Sequence, residues 1–275
     1  MKRIMALVLA LVMLVGACFS FTACGGDDPG KGDWEKIEER GYFICGITVY
    51  APMNYFNDDG DLIGFDTEFA QAVADYLDLD VKFQVIKWGS KYLELNSGAI
   101  DLIWNGFTYG DEDGVPRSNY VDFTYSYLTN KQVVVTRAED VATLNTPEAF
   151  SGKFAAVEGG SSGEGVAKTL SGSEDKLVKF DSQAAALTEL AADRVDYAVI
   201  DFQMANAMVG SGDYAGLAIN NAYTPESEVY AIGARKGSDF TAKINQAIDA
   251  LYENGKLAEI AAKYGLTNDL VIGRD

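Results

Sequence analysis

Short apolar runs alternate with segments of helical periodicity from residue 41 onward. The apolar run 42–49 predicts a strand, Phe65, Phe69 and Val73 recur at helical spacing, and the run 100–104 predicts another buried strand. This alternation predicts an α/β fold whose parallel sheets are covered by helices on both faces. Because ligands of such folds bind beyond the carboxyl ends of strands, the residues directly after each strand are the candidates for a site.

The same alternation returns in the second half of the chain. The predicted elements there are strands at 132–136, 153–157, 178–180, 195–200 and 229–234, and helices after 163, at 182–192, through 205 and 208, and in two closing segments between 240 and 264. In the first half, Asn57–Asp61 could suggest a calcium loop, but the ligand spacing around Gly60 does not fit, and Asp59-Gly60 predicts a hairpin turn.

The charge and the composition exclude several functions. The chain has 22 Lys and Arg against 41 Asp and Glu, a formal charge of −19, which disfavours nucleic-acid binding. It contains no histidine, so Ser-His-Asp and Cys-His hydrolases and His-ligated zinc sites are excluded. We expect no catalytic residue, no cofactor and no metal.

The N-terminus predicts a secretory signal with a lipid anchor. Lys2 and Arg3 precede an apolar run at 4–15, too short for a comfortable transmembrane helix. The run ends in Phe21-Thr22-Ala23-Cys24, which resembles the lipobox of bacterial lipoproteins, although Phe21 departs from the usual aliphatic residue. The resemblance implies cleavage before Cys24 and its acylation by fatty acids such as palmitate. Cys18 offers a rival lipobox, and a plain secretory signal is the remaining alternative.

A single cysteine remains in the predicted folded body. Cys18 and Cys24 lie in the signal region, so Cys45 has no partner for a disulfide within the body. Cys45 lies inside an apolar run, which favours a buried small hydrophobic residue over a nucleophile.

Several motifs, in order along nearly the whole mature chain, resemble one family. They are Tyr50–Met53, Gly64–Ala70, Leu95–Thr108, Val121–Thr124, Asn130–Val135, Gly159–Ser162 and Arg194–Asp201. Together they resemble the extracellular solute-binding proteins of family 3, the amino-acid receptors of bacterial ABC importers. Each motif is weak alone, but their order, their spacing and the preceding lipobox make the resemblance specific.

The resemblance implies a type II periplasmic-binding-protein-like α/β fold, with two lobes joined by a two-strand hinge near 130–135 and 226–229. The expected organisation is a signal peptide at 1–24, a flexible tether at 25–35, lobe 1 at 36–130 plus 228–275, and lobe 2 at 131–227. The implied partners are an amino-acid ligand, an ABC permease with its ATPase, and the membrane through the lipid anchor. We expect an extracytoplasmic monomer.

In lobe 2 the expected ligand contacts follow two strands. Asp201 lies just past a buried strand, where a lone carboxylate is unfavourable unless paired, and it matches the family's ammonium-binding aspartate; the alternative is a helix N-cap. Ser161 and Ser162 precede a helix whose N-terminal N–H groups suit a carboxylate. Residues 159–163 also fit G-x-S-x-G, but a hydrolase would need a base, and no histidine is present.

In lobe 1 the resemblance places contacts around the segment after residue 104. Thr108 matches the polar residue whose hydroxyl contacts the ligand, and backbone groups of Gly106 are expected to serve the ammonium. Tyr50, Phe107 and Trp88 match positions of apolar walls, with ordinary core packing as the alternative for each.

The carboxylate-binding arginine is displaced from its usual position in the family. Asp113 stands about seven residues after Gly106, where the arginine is expected, whereas Arg117 has the expected spacing to the following motif if an insertion precedes it. Bidentate arginine is the natural partner of a carboxylate, so we expect Arg117 to bind it; a solvated loop charge is the alternative. Ile47 replaces the aspartate of relatives that bind cationic amino acids, whereas Glu158 could pair with a cationic or polar side chain.

Three functions from different classes follow from these observations. The first is a lipid-anchored amino-acid receptor of an ABC importer. The second is an enzyme on the same scaffold, because prephenate and arogenate dehydratases resemble this family. The third is a ligand-sensing module, which we disfavour because no output domain follows Asp275 in the sequence.

Overall fold

Two β-sheets organise the part of the chain that the computed structural model describes, residues 31–112 and 114–273. From Gly32 onward this part forms one compact unit. The predicted signal peptide, both lipobox cysteines and most of the predicted tether lie outside the described residues.

The first sheet has five strands in the order β4-β1-β5-β16-β9. Its strands are β1 (Tyr42–Ile47), β4 (Asp80–Val85), β5 (Leu102–Ile103), β9 (Val121–Phe123) and β16 (Gly233–Arg235). Strand β1 pairs in parallel with β4 and β5, whereas β16 is antiparallel to β5 and to β9. Two small antiparallel hairpins accompany this sheet: β2 (Tyr55–Phe56) with β3 (Leu62–Ile63), and β7 (Asp111–Glu112) with β8 (Val115–Pro116).

The second sheet follows the order β12-β11-β13-β10-β15-β6, and β14 and β17 also pair with β10. Its strands are β6 (Thr108–Tyr109), β10 (Ser126–Arg137), β11 (Ala155–Glu158), β12 (Leu177–Phe180), β13 (Tyr197–Asp201), β14 (Leu217–Asn220), β15 (Ser227–Tyr230) and β17 (Leu270–Gly273). Strand β11 is parallel to β12 and β13, and β10 is antiparallel to each of its partners.

Helices cover the two sheets. They are α1 (Asp33–Arg40), α2 (Phe65–Leu77), α3 (Lys91–Asn96), α4 (Ser162–Ser171), α5 (Gln183–Ala191), α6 (Phe202–Met208), α7 (Phe240–Glu253) and α8 (Lys256–Lys263). Phe65, Phe69 and Val73 of the stripe predicted for α2 are buried, and the rings of Phe69 and Trp104 meet edge to face with centroids 5.0 Å apart; Tyr76, predicted in the same stripe, is exposed. This burial of a helix stripe against a sheet supplies most of the stabilisation of such layers.

We call the first sheet with β6–β9 and the helices packed on it lobe 1, and β11–β14 with α4–α6 lobe 2. Strands β10 and β15 connect them as an antiparallel pair in which Asn130 lies opposite Glu228. The α/β fold is as predicted, and each sheet contains the predicted parallel strands, but each also contains antiparallel strands that were not predicted. Strands β10 and β16 return in the opposite direction because the chain crosses between the lobes twice.

Some boundaries and elements differ from the sequence predictions. The strand predicted at 229–234 is two strands, β15 and β16, which lie in different sheets. The hairpin of β7 and β8 occupies the insertion that was inferred before Arg117. The C-terminal strand β17 had no prediction, and it pairs with β10 on the lobe 1 side of the crossing.

Cys45 is fully buried in β1 and is a free thiol, as its apolar surroundings predicted. Burial, aided by the charge of Asp101, raises the pKa of this thiol well above its usual value. Among residues 31–112 and 114–273, no helix is both long enough and apolar enough to cross a bilayer.

Candidate functional site

The residues that follow three buried strands meet in the cleft between the lobes. Eight of the ten predicted ligand contacts, together with Asn105 and Gln183, line one cavity of about 10 Å³. The eight are Trp88, Gly106, Thr108, Arg117, Glu158, Ser161, Ser162 and Asp201. A space of this size holds about one water molecule, so the lobes are closed on each other.

Asp201 ends β13 at the floor of this cavity and is 4% exposed. Its carboxylate accepts hydrogen bonds from the side-chain amides of Asn130, Gln132 and Gln183, and its backbone N–H donates to Gln183 Oε1 at 2.8 Å. Asp201 precedes α6 but makes no side-chain cap to it, so the N-cap alternative does not hold. Burial raises the pKa of Asp201, and the three amide donors oppose that rise.

A buried polar network in lobe 1 positions the segment after β5. Asn105 accepts hydrogen bonds from the backbone and the hydroxyl of Thr48, and its amide donates to Thr48 O and to Asn54 Oδ1. The N–H of Gly106 donates to Asp66 Oδ2 at 2.7 Å, which leaves the carbonyl oxygen of Gly106 as its group for an ammonium. The pKa of the fully buried Asp66 rises to about 7, mainly through burial.

Arg117 enters the cleft after the β7–β8 hairpin and is 1% exposed. Its Nη1 donates to the carbonyl oxygen of Thr108 at 3.0 Å and its Nη2 to that of Gly160 at 3.3 Å. The guanidinium carbon lies 5.1 Å from the ring centre of Phe107, and Nε lies 3.4 Å from Glu112 Oε2. The alternative of a solvated loop charge therefore does not hold.

Lys91 is a buried cation beside Arg117 that the sequence did not single out. Its ammonium lies 2.9 Å from Glu112 Oε2 and donates to Gly160 O at 2.9 Å. Its burial lowers its pKa to about 8, while Glu112 acts in the opposite direction. Glu112 belongs to the inserted hairpin and also accepts a hydrogen bond from Tyr92 Oη, so this one carboxylate fixes both cations.

Glu158 ends β11 and is 2% exposed. Its Oε1 has no hydrogen-bond partner, although the side chain lines the cavity. Burial, followed by the charge of Asp201, raises its pKa to about 8. An unpartnered buried oxygen of this kind is costly and indicates a group that accepts a donor from elsewhere.

Ser161 and Ser162 begin α4 at the opposite wall. Ser161 is the N-cap: its Oγ accepts from the N–H of Glu164 at 3.3 Å, and Glu164 Oε2 accepts from Gly160 N at 2.7 Å. This pair resembles a capping box but bonds the N–H of the residue before the N-cap, and it fixes the loop that carries Gly160. The positive end of the helix therefore faces the cavity.

The predicted aromatic walls divide into two groups. Trp88 lines the cavity, but Tyr50 and Phe107 are buried behind it. Tyr50 shares a 2.6 Å hydrogen bond with the hydroxyl of Tyr230, and Phe107 packs against the ring of Trp88 with centroids 5.5 Å apart. Phe107 thus supports Trp88 and Arg117 from below, as in the core-packing alternative.

Glu228 is a second carboxylate of the site that the sequence did not single out. Its Oε1 accepts hydrogen bonds from Gln132 at 2.6 Å, from Thr108 Oγ1 at 3.2 Å and from Asn130. A sequence signal existed: Glu228 and Tyr230 share one face of β15, and Asn130 and Gln132 share one face of β10, so both strands carry polar groups toward the cleft. Glu228 also borders an adjoining cavity of about 420 Å³.

The described residues hold no cluster of acidic, cysteine or histidine side chains that could bind a metal ion. The site is instead built from two buried cations, several buried carboxylates and a helix N-terminus. Asp201 and Arg117 lie in different lobes, so a ligand with one ammonium and one carboxylate could contact both only when the cleft is closed.

Comparison with known proteins gives a consistent result. Residues 43–267 match a family model described as "Bacterial extracellular solute-binding proteins, family 3". The arginine-binding extracellular protein ArtP of Bacillus subtilis (strain 168) is 30% identical over 259 residues, which cover 92% of this chain and 96% of that protein. The L-cystine-binding protein TcyA of the same organism is 30% identical over 269 residues, covering 94% and 96%.

A solved structure has a similar fold. It is the crystal structure of an ABC uptake transporter substrate-binding protein from Streptococcus pneumoniae with bound histidine. It superposes with a TM-score of 0.75 and 30% sequence identity, and the match covers 85% of this chain and 96% of that one.

Proposed function

The chain belongs to the bacterial extracellular solute-binding proteins of family 3, as its motifs predicted, and we propose that it captures an amino acid for an ABC importer. The observation that carries this proposal is the placement of Asp201 and Arg117 around one cavity in opposite lobes. A carboxylate and a guanidinium that line one cavity suit the two charges of a zwitterionic amino acid.

In this proposal, ligand binding and closure are one event. The α-carboxylate takes the place of the Thr108 and Gly160 carbonyl oxygens at the guanidinium of Arg117 and receives N–H groups at the start of α4. The ammonium binds Asp201 and the carbonyl oxygen of Gly106. Because these groups come from both lobes, the ligand has a higher affinity for the closed state and shifts the population toward it.

We further propose that the ligand carries a cationic side chain. Asp201 and Arg117 neutralise the two charges of the amino-acid backbone, and Lys91 pairs with Glu112. The carboxylate of Glu158 is left buried without a cation in contact, and its Oε1 is unpartnered. Burial disfavours the charged form of Glu158, and a ligand cation beside it would stabilise that form and supply a donor to Oε1. Among the relatives described above, arginine is such a ligand, whereas cystine has no cationic side chain of this kind.

We propose that binding, and not catalysis, is the function of this site. The relatives described above are solute-binding proteins. The charged groups of the cleft suffice to bind an amino acid, and that role requires no proton transfer to a reacting atom.

We propose that Cys24 is acylated and that the mature protein is held at the outer face of the cell membrane, where it delivers its ligand to a permease as a monomer. The segment after Cys24 is rich in Gly and Asp and suits a flexible tether.

A thermal-shift screen of the standard amino acids, cystine and close analogues tests the function. A ligand at about 100 times its Kd adds about 2.7 kcal/mol to native stability, which raises the melting temperature clearly. We expect L-arginine or another cationic amino acid to give the largest shift. If no amino acid gives a shift while a sugar or peptide does, the proposed substrate class is wrong.

A further inference from the structure

A closed ring of hydrogen bonds joins Glu228 to Asp201. The amide nitrogen of Asn130 donates one hydrogen to Asp201 Oδ1 at 2.7 Å and the other to Glu228 Oε1. The amide nitrogen of Gln132 divides its two hydrogens between the same two oxygens. Every N–H of both amides is used in this way, and the two carboxylates lie only two hydrogen bonds apart.

The ring contains no cation. Its donors are neutral amides. The further donors to the pair among the described residues are also neutral: Gln183 and the hydroxyl of Tyr50 on Asp201, and the hydroxyl of Thr108 on Glu228. The ion pairs of the described residues include neither carboxylate, because Lys91 and Arg117 pair with Glu112.

The other titratable groups near the pair add no positive charge in contact with it. Tyr50 and Tyr230 lie beside Asp201 and Glu228, and Glu158 lies nearby at the end of β11. On the outer side, the cavity that Glu228 borders is also lined by Asp111, Tyr223 and Glu226. Two carboxylates that share neutral donors in a buried site cannot both ionise readily, since like charges at this separation repel strongly.

We propose that Glu228 is a further residue of the ligand site, whose carboxyl group shares one proton with Asp201 and releases it when the ligand's ammonium binds. The proton keeps the ligand-free pair at a single negative charge. When the ammonium reaches Asp201, its positive charge favours ionisation of both carboxyl groups; the O–H bond of the shared proton breaks, the proton passes to solvent, and no other bond changes.

The position of the ring gives this proton a second consequence. Asn130 and Gln132 lie on β10 and Glu228 on β15, so the ring connects the two strands of the hinge. Thr108 of lobe 1 donates to Glu228, whereas Asp201 belongs to lobe 2. Glu228 therefore positions Asp201 relative to both hinge strands. The charge of Glu228 acts on the ligand through Asp201. The raised pKa of Glu228, about 7 and caused by burial and then by Asp201, agrees with this assignment.

The first experiment requires no ligand. The carboxyl carbons of glutamate are labelled with ¹³C, and the Glu228 resonance is assigned by its loss in Glu228→Gln, or in Glu228→Asp if the glutamine variant does not fold. We expect the Glu228 carboxyl to titrate with a midpoint near 7. Glu139→Gln, a substitution at an exposed position, is the control for the assignment, because it should leave the Glu228 resonance in place. A Glu228 midpoint below 5 overturns the proposal.

The second experiment tests the release and rests on the proposed function. Calorimetry with L-arginine at pH 7 in phosphate and in Tris gives the number of protons released, because the two buffers differ in ionisation enthalpy. We expect the parent protein to release roughly half a proton more than Glu228→Gln, since a group with a pKa near 7 is half protonated at that pH. Protons released by Glu158 on binding contribute equally in the parent and in Glu228→Gln, so they cancel in the difference.

The two experiments separate this proposal from the proposed function. Equal proton release by the parent, Glu228→Gln and Glu139→Gln, with tight arginine binding in each, overturns the proposal and leaves the amino-acid receptor standing. If L-arginine does not bind at all while the Glu228 carboxyl still titrates near 7, the ligand assignment is wrong and the shared proton is retained.

Discussion

The ammonium of Lys91 in lobe 1 donates a hydrogen bond of 2.9 Å to the carbonyl oxygen of Gly160 in lobe 2. The same carbonyl oxygen accepts from Arg117, so two buried cations of one lobe meet at a single acceptor of the other. Both cations are held by Glu112 of the inserted hairpin. This contact exists only while the cleft is closed, and it therefore contributes to the stability of the closed state.

Replacing Lys91 with Met is expected to weaken ligand binding about 10- to 100-fold. The variant removes a hydrogen bond from a charged group, which contributes roughly 1.5–3 kcal/mol, and each 1.4 kcal/mol is about one decade in affinity. Titration calorimetry with the ligand measures the loss. Lys87→Met is the matched control, because the Lys87–Asp181 pair also connects the lobes but is 70% and 67% exposed, and we expect it to change affinity only a few-fold at most. An equal loss of affinity in the two variants would show that the burial of Lys91 does not contribute to ligand binding.

Removing either charge that binds the α-ammonium or the α-carboxylate of the ligand is expected to weaken binding far more. Asp201→Asn and Arg117→Ala each leave a buried charge of the ligand without its partner, at a cost on the order of 2–5 kcal/mol. This corresponds to roughly a thirty-fold to several-thousand-fold loss of affinity, measured by calorimetry. Arg194→Ala, which removes an exposed arginine of lobe 2, is expected to bind normally. If Arg117→Ala binds like the parent, the α-carboxylate is held by α4 and not by the guanidinium.

Glu158→Gln is expected to change the stability profile with pH. The pKa of Glu158 is raised to about 8 in the folded protein, so the folded state binds its proton more tightly than the unfolded state. The stability from this group is complete below the unfolded pKa near 4.5, and it is lost as the pH rises to about 8.

Urea unfolding at pH 5 and pH 8 measures this effect. We expect the free energy of unfolding of the parent to fall by several kcal/mol more than that of Glu158→Gln, since one pKa unit corresponds to about 1.4 kcal/mol. Glu139→Gln, at an exposed position, should follow the parent. Identical profiles for the parent and Glu158→Gln would contradict the buried, unpaired state of Glu158.

Gly64→Ala is expected to destabilise lobe 1 by more than about 2 kcal/mol. Gly64 has φ = 130°, and a Cβ there would lie 2.1 Å from the carbonyl oxygen of Met53, which is backbone and cannot move aside easily. Gly60→Ala, at the tip of the β2–β3 hairpin, is the control: φ is 85° but no atom lies within 4 Å of the new Cβ, so only about 1–2 kcal/mol is expected. Urea unfolding measures the free energy of unfolding of both variants. A smaller loss of stability in Gly64→Ala than in Gly60→Ala would contradict the close approach of residue 64 to the Met53 carbonyl oxygen.

Replacing Cys24 with Ser is expected to release the protein from membranes or to block its processing. If Cys24 is acylated as proposed, the acyl chains supply the membrane affinity, at about 0.8 kcal/mol for each buried CH₂ group. Cell fractionation followed by immunoblotting measures the distribution. Cys18→Ser should remain in the membrane fraction, and the reverse result would place the lipobox upstream.

The sequence predicted the parts of the site that depend on strand ends. Gly106, Glu158 and Asp201 each follow or end a buried strand, and the fold brings such ends together regardless of loop details. Arg117 was harder to place because its position depends on an insertion, and only the hairpin geometry decides whether it enters the cleft. Phe107 was predicted as a wall and supports one from behind, since an apolar run does not reveal which of its side chains faces the cavity.

Lys91 and Glu228 were not predicted as residues of the site, for a different reason. A charged residue in a helix or strand is usually solvated, and its burial here depends on partners that are distant in sequence: Glu112 and Gly160 for Lys91, Asn130 for Glu228. These pairings depend on tertiary structure and not on local pattern: Lys91 reaches Gly160 through closure of the lobes, and Asn130 reaches Glu228 through the register of the hinge strands.

Cys45 is buried in β1 and is the only cysteine beyond residue 24. With Cys18 and Cys24 replaced, the thiol can react with a reagent only when β1 leaves its sheet. Its modification rate therefore reports how often lobe 1 opens globally, whereas movement at the hinge leaves it unreactive. The rate of unfolding can thus be measured without interference from cleft opening, and no probe has to be introduced because the natural thiol serves.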